Sequence, residues 1–191
     1  MKITKEQKSF LDKLVNGVWS INPNTGLVDV NGNVSMSLMN LTKIPVKFGK
    51  VTGNFNCSDN QLTSLVGAPQ SVGRDFYCHH NPLTSLVGAP QSVGRDFICY
   101  ETQLTSLTGA PQSVGGNFDC EMNRLKSLKG APQSVNGYFY IDLDFIYKKY
   151  YHVIIPQIEE MTERGIKLYK PDEYYYPHKE AYYNAKIIKS L

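Results

Sequence analysis

Leu62 to Phe76 reads LTSLVGAPQSVGRDF, and Leu83 to Phe97 reads the same fifteen residues 21 positions later. The copies then diverge. Tyr77-Cys78-His79-His80-Asn81-Pro82 follows the first and Ile98-Cys99-Tyr100-Glu101-Thr102-Gln103 the second, with the cysteine alone retained. A segment held fixed beside one that varies is the pattern of a repeat scaffold displaying a variable surface, and it points to binding more than to catalysis.

Stepping by 21 in both directions extends the register. Leucine pairs recur as Leu41/Ile44, Leu62/Leu65, Leu83/Leu86, Leu104/Leu107 and Leu125/Leu128. A valine column runs Val30, Val51, Val72, Val93, Val114 and Val135, and an aromatic column runs Val34, Phe55, Phe76, Phe97, Phe118 and Phe139. Leu27 to Val30, Asn31-Gly32 and Val34 to Met36 also read as a simple hairpin. The register makes that stretch a degenerate first repeat instead.

The unit Phe76-x-Cys78-x-x-Asn81-x-Leu83-x-x-Leu86 resembles the LxLxxNxLxxL core of the leucine-rich-repeat family, with Phe and Cys in place of the first two leucines. The GAPQSVG connector is similar to that of phage-encoded and bacterial members, although the Leu-Pro-x-Leu-Pro connector usual in secreted bacterial effectors is missing. The resemblance implies a β-rich solenoid of the α/β class, with one parallel sheet of about six short strands and an irregular convex side. It also implies a non-enzymatic protein-binding role in the cytoplasm. For a phage-encoded chain the compartment is that of the host cell, and the partner a host defence protein that it inhibits.

Elementary physics supports the same architecture. In-register strands stack about 4.8 Å apart, so Phe, Cys, Leu and Val from each rung form continuous inward ladders. Burying each large side chain contributes about 1.5–3 kcal/mol. Pro69, Pro90, Pro111 and Pro132 lack a donor, which suits an extended convex side better than helices. Asn60, Asn81 and Asn123 are expected to bond backbone groups where the chain leaves the strand, with a looser bend where Thr102 and Asp144 replace them.

Three regions follow: 1–29 as a helical N-terminal cap and link, 30–144 as six repeats, and 145–191 as a tyrosine-rich helical C-terminal cap. At the start, Lys2 to Asn16 reads as an amphipathic helix with Thr4 and Gln7 as a capping box and Asn16-Gly17 as the stop. At the end, 145–164 reads as mostly helix, broken or restarted at Pro156 and ended by Gly165. Pro177 to Ser190 reads as a final helix after Tyr174-Tyr175-Tyr176. Nine of the 13 tyrosines lie from Tyr147 onward, which suits a cap covering the last open rung.

A net charge of +3 is too small to argue for nucleic acid or a membrane surface. The charged N-terminus has no signal-peptide pattern, and no run approaches the roughly 20 apolar residues of a membrane span. Cys57, Cys78, Cys99 and Cys120 fall once per repeat, so they form a structural column of buried filler, with neither a zinc pair nor a disulfide framework. A reduced, intracellular setting fits them.

If Phe and Cys point inward, their neighbours along the strand face out onto the concave surface of the sheet, the expected partner-binding face. Those positions run Ser35, Asn56, Tyr77, Ile98, Asp119, Tyr140; then Ser37, Ser58, His79, Tyr100, Glu121, Asp142; then Leu38, Asp59, His80, Glu101, Met122, Leu143. Drift on an idle surface gives the same variability. Exposed aromatic and Met side chains ringed by acids, however, suit a protein interface. Tyr77, His79, His80, Ile98, Tyr100, Glu101, Asp119, Glu121, Met122, Tyr140 and Asp142 are therefore the candidate contact residues, for a protein partner carrying basic groups. Self-association through the caps and the tyrosine-rich tail is the alternative, and the oligomeric state is open.

Other motifs carry less. Asp75 and Asp96 share a column with Asn33, Asn54 and Asn117 and read as turn formers. Arg74 and Arg95 replace glycines and either hold an acidic group or are tolerated at a turn. Cys78-His79-His80 beside Asp59 and Glu101 invites a metal reading. On an extended strand the two histidines point apart and Cys78 is buried, so no metal or cofactor is assigned. Among effectors with related repeats some carry a cysteine-dependent ligase domain, but no cysteine follows Cys120 here. His152 and His178 lack an evident nucleophile or paired carboxylates, so no catalytic residue is assigned.

Overall fold

A computed structural model describes residues 3–142 and 148–169. Helix α1 (Lys5–Leu14) begins at the expected capping box: Gln7 N–H donates to Thr4 Oγ1 and Thr4 N–H to Gln7 Oε1. Leu11 is its buried residue. The helix does not end on Asn16-Gly17. Both residues lie in strand β1 (Val15–Ile21), antiparallel to β2 (Val28–Ser35), with Gly17 opposite Gly32. A Cβ added to either glycine would lie 2.8 Å from the other's Cα, so this pair is a close approach of two backbones and not a stop signal. Trp19 Nε1 donates to Asp12 Oδ1 at 2.9 Å, tying helix to strand.

The hairpin turn is the Asn22-Pro23-Asn24-Thr25-Gly26 link, where Asn22 Oδ1 accepts from the N–H groups of Asn24 and Thr25. Strand β2 runs straight through Asn31-Gly32. Val30 pairs with Val51 and Val34 with Phe55, so this stretch is the first rung, as the register requires.

From there each repeat contributes two short strands. Along the aromatic column, β2 is followed by β4 (Phe55–Asn56), β6 (Phe76–Tyr77), β8 (Phe97–Ile98), β10 (Phe118–Asp119) and β12 (Tyr138–Tyr140), all parallel and in register. The convex side differs from expectation. It is a second parallel ladder through β3 (Phe48–Val51), β5 (Ser71–Val72), β7 (Ser92–Val93), β9 (Ser113–Val114) and β11 (Ser134–Val135). The long β2 belongs to both, so the two ladders form one sheet wound as a parallel β-solenoid of 21-residue repeats.

Phe55, Phe76, Phe97, Phe118 and Phe139 are fully buried and stack with centroids 5.0–5.5 Å apart and planes within 9°. Offset stacks of this kind add about 0.5–1.5 kcal/mol per pair beyond burial. The four cysteines are free and buried, and burial pushes the Cys57 thiol up to about 12. They are filler, as their spacing implies. Asn81 donates to the carbonyls of Cys57, Cys78 and His79 while its Oδ1 accepts Leu62 N–H, fastening adjacent rungs. Thr102 does not loosen its bend. Its hydroxyl meets Asn123 Oδ1 at 2.6 Å, and Asn123 donates back to Cys99 O.

The C-terminal cap begins with a 3-10 turn (Lys148–Tyr150) and helix α2 (Tyr151–Glu163), which runs through Pro156 without a break and ends at Gly165, φ 83°. Pro156 is exposed, so the N–H that it lacks is missing from the solvent side of the helix. Ile154, Ile158 and Met161 cover the last rung. Leu86 and Leu107 donate to the next rung's backbone at Thr108 and Lys129, whereas Leu128 donates to Gln157 Oε1 at 2.7 Å. Gln157 thus supplies the acceptor of a missing rung. Strand β13 (Lys167–Leu168) then adds to β12 in parallel, an element with no counterpart in the repeat register. The expected helix 177–190, Tyr174 to Tyr176, the start of the 145–164 segment and Asp144 lie outside the described residues. Among the described residues no helix is long and apolar enough to cross a membrane.

Candidate protein-binding face

The outward positions of the aromatic ladder are brought together as the alternation requires. Asn56, Tyr77, Ile98, Asp119 and Tyr140 are consecutive neighbours across β4 to β12, each half-buried beside a fully buried phenylalanine. The next column packs alongside. His79 stacks on Tyr100 with centroids 4.6 Å apart and planes 11° off parallel, and Tyr77 meets the His79 ring edge-on at 6.1 Å. Burial raises the Tyr77 and Tyr100 hydroxyls above their ordinary value.

The alternation stops one residue later. Leu38, Asp59, His80, Glu101 and Met122 all have φ between 48° and 58°, a left-handed column without a glycine. Because the chain turns there, His79 and His80 do not point apart. Their rings lie 5.0 Å from each other and both approach Asp59. His80 donates from Nδ1 to Asp59 Oδ1 at 2.7 Å and from Nε2 to Glu101 Oε2 at 2.5 Å, spanning three rungs. The hydrogen bond to Asp59, more than the one to Glu101, raises the His80 pKa, and the same bond lowers that of Asp59. His79 is lowered, first by burial and then by the neighbouring His80 charge.

Acid gathers toward the C-terminal rungs. Burial raises Asp119, and burial followed by the charges of Asp119 and Asp142 raises Glu121. Carboxylates so placed gain from a cation brought against them. Asp119 Oδ1 also accepts Glu121 N–H, which holds it on the face. Met122 is 43% exposed at the margin. Two further residues belong to this end: Tyr138, 48% exposed, and Tyr169, which stacks on Tyr140 at 4.5 Å. Tyr138 had a sequence signal, since it interrupts the Asn/Asp column. Tyr169 had none, because β13 reaches the ladder from outside the repeat.

The Asn/Asp column is structural. Asn33, Asn54, Asp75, Asp96 and Asn117 each accept, through Oδ1, the N–H of the residue one rung on, ending at Tyr138. Arg74 and Arg95 stand exposed beside it, linked to each other through their backbones. The opposite ladder differs in kind: Ser71, Ser92 and Ser113 with Gly73, Gly94 and Gly115 line a shallow groove of about 430 Å³ that repeats itself without aromatic side chains, with Lys50 at its N-terminal end as its one charged residue. Searches against protein-family models, curated proteins and solved structures find no match to this chain.

Proposed function

We propose that this protein is a non-enzymatic binding module whose outward aromatic-ladder face grips a protein partner bearing basic residues, and that its repeats are of the leucine-rich class. One observation carries the reading: inward positions are repeated almost without change, while the outward positions on the same strands differ at nearly every rung. Packing explains the first and not the second. A face with Tyr77, Tyr100, Tyr140 and Met122 beside Asp119 and Glu121 has the aromatic anchors and the acid that a cationic helix or loop requires. Six rungs span about 24 Å, too broad for a small molecule. The similarity of the connector to phage-encoded repeats extends the proposal to inhibition of a host defence protein.

Combined replacement of Tyr77, Tyr100 and Glu121 tests it. The partner recovered by affinity capture from host lysate is expected to be lost, while the variant melts as the parent does. Undiminished capture by that variant sinks the assignment of this face. Self-association through the caps is the competing reading, and light scattering showing a defined oligomer that buries the face would favour it.

A further inference from the structure

We propose that Asp59, His79 and His80 form a binding site for one Zn²⁺-class ion, with Glu101 as the residue that positions His80. Three donors converge from two adjacent rungs. One ligand atom from each of the three residues lies within 4.8 Å of the other two, and the two Asp59 oxygens each face one imidazole, Oδ2 toward His79 Nε2 and Oδ1 toward His80 Nδ1. It is the only such group among the described residues.

The separations fit an ion between them. Zinc bonds of about 2.0–2.2 Å place tetrahedral ligands roughly 3.3–3.5 Å apart. His80 Nδ1 stands 2.7 Å from Asp59 Oδ1, and His79 Nε2 stands 3.9 Å from the other Asp59 oxygen, Oδ2, so the two gaps bracket the ligand spacing and each lies within about 1 Å of it. Side-chain rotation alone covers such a change. The ion replaces the proton shared by His80 Nδ1 and Asp59, and that proton leaves to solvent.

The surroundings resemble those of a built metal site more than a chance meeting of polar groups. A metal-bound imidazole usually donates its other N–H to a carboxylate, which fixes the ring. His80 already donates Nε2–H to Glu101. His79 is oriented differently, by its stack on Tyr100, with Nδ1 buried and unbonded and Nε2 turned toward Asp59. Asp59, His80 and Glu101 also occupy the left-handed column, where the Asp59 and Glu101 N–H groups donate to the next rung at the His79 and Glu121 carbonyls. Two imidazoles and one carboxylate select a borderline ion such as Zn²⁺ over Ca²⁺ or Mg²⁺, which take oxygen. Three protein ligands leave a fourth position open to water or to a group from outside.

The site shares His79, His80 and Glu101 with the proposed contact face but is tested without a partner, since it requires only the ion. The experiment is calorimetric titration of the untagged, chelator-stripped full chain with ZnCl₂, paralleled by Co²⁺ absorption. One equivalent is expected to bind, with a tetrahedral Co²⁺ spectrum. Asp59→Asn, His79→Ala and His80→Ala should each abolish saturable binding, and Glu101→Gln should weaken it about 10- to 100-fold. His152→Ala, on α2, should bind as the parent does. Thermal melting checks each variant; should His79→Ala unfold, Asp59→Asn and His80→Ala at exposed or half-exposed positions decide. Absence of saturable binding by the parent, or retention of it by folded Asp59→Asn and His80→Ala, overturns the site. Unchanged affinity in Glu101→Gln overturns the positioning role.

Discussion

From Val51 to Ser134 each repeat passes through left-handed backbone twice, and the chain meets the two demands differently. On the connector, Gly67, Gly88, Gly109 and Gly130 have φ between 87° and 101°, and every one is glycine. After the aromatic strand, Leu38, Asp59, His80, Glu101 and Met122 have φ between 48° and 58°, and none is. The difference lies in what a side chain would meet. A Cβ on Gly88 would sit 2.7 Å from the Leu65 carbonyl carbon, main chain that cannot move without shifting a rung. Leu38 projects to solvent, 80% exposed. A positive φ alone therefore does not impose glycine; the approach of the neighbouring rung does. Side chains kept at a strained position in the face of a cost of about 1–2 kcal/mol are a mark of use.

The sharpest way to break this comparison is Gly88→Ala. Left-handed strain and main-chain overlap together should destabilise by about 3 kcal/mol or more, read as a lowered denaturation midpoint. A loss below about 1 kcal/mol, the scale of the φ penalty alone, would remove the close-approach argument. The mirror experiment is Leu38→Gly, which relieves strain at an exposed site and offsets it against glycine's greater unfolded-state freedom. A net gain of about 0.5–1 kcal/mol is expected; destabilisation would mean that the second column is not strained.

The smallest effect concerns proton binding within that column, followed by NMR with chelator present. His80 should titrate above the ordinary imidazole value of about 6.5 and His79 below it. The signs oppose. The His80 contribution to stability is complete below its unfolded pKa and is lost as pH rises through the raised folded value. The His79 contribution is present above the unfolded pKa and is lost as pH falls through the depressed one. In His80→Gln the first is lost and the second keeps only the part that comes from burial, so stability between those limits should rise with pH, by a smaller amount. A falling profile would contradict the assignment.

Much of this molecule is written in its period. Phe76, Phe97 and Phe118 declare their ladder because a core position tolerates one shape, and Asn81 declares its bend because few side chains can fasten two rungs. The second ladder was harder to read. Ser71–Val72 is two residues long and leads into Gly73, so it offers no alternation and looks like a turn. Asn16-Gly17 carries the chemistry of a helix stop, and only the distant Gly32 makes it strand. At the candidate face, Tyr77 and Ile98 followed from alternation inside a strand. His79 and His80 followed onto the face in the same way, but their mutual orientation did not, because the strand ends at Tyr77 and the chain turns at His80. Their convergence on Asp59 depends on a backbone angle that Glu101 and Met122 share and that no residue type there announces.

Gln157 completes the last rung by imitating main chain, and β13 docks on β12 by the same backbone bonding that joins any two rungs. The cap therefore recognises the end of a repeat and not which repeat it is. Length becomes a free variable: a duplicated or excised 21-residue unit would meet the same terminus, so the reach of the molecule can be changed without redesigning its closure.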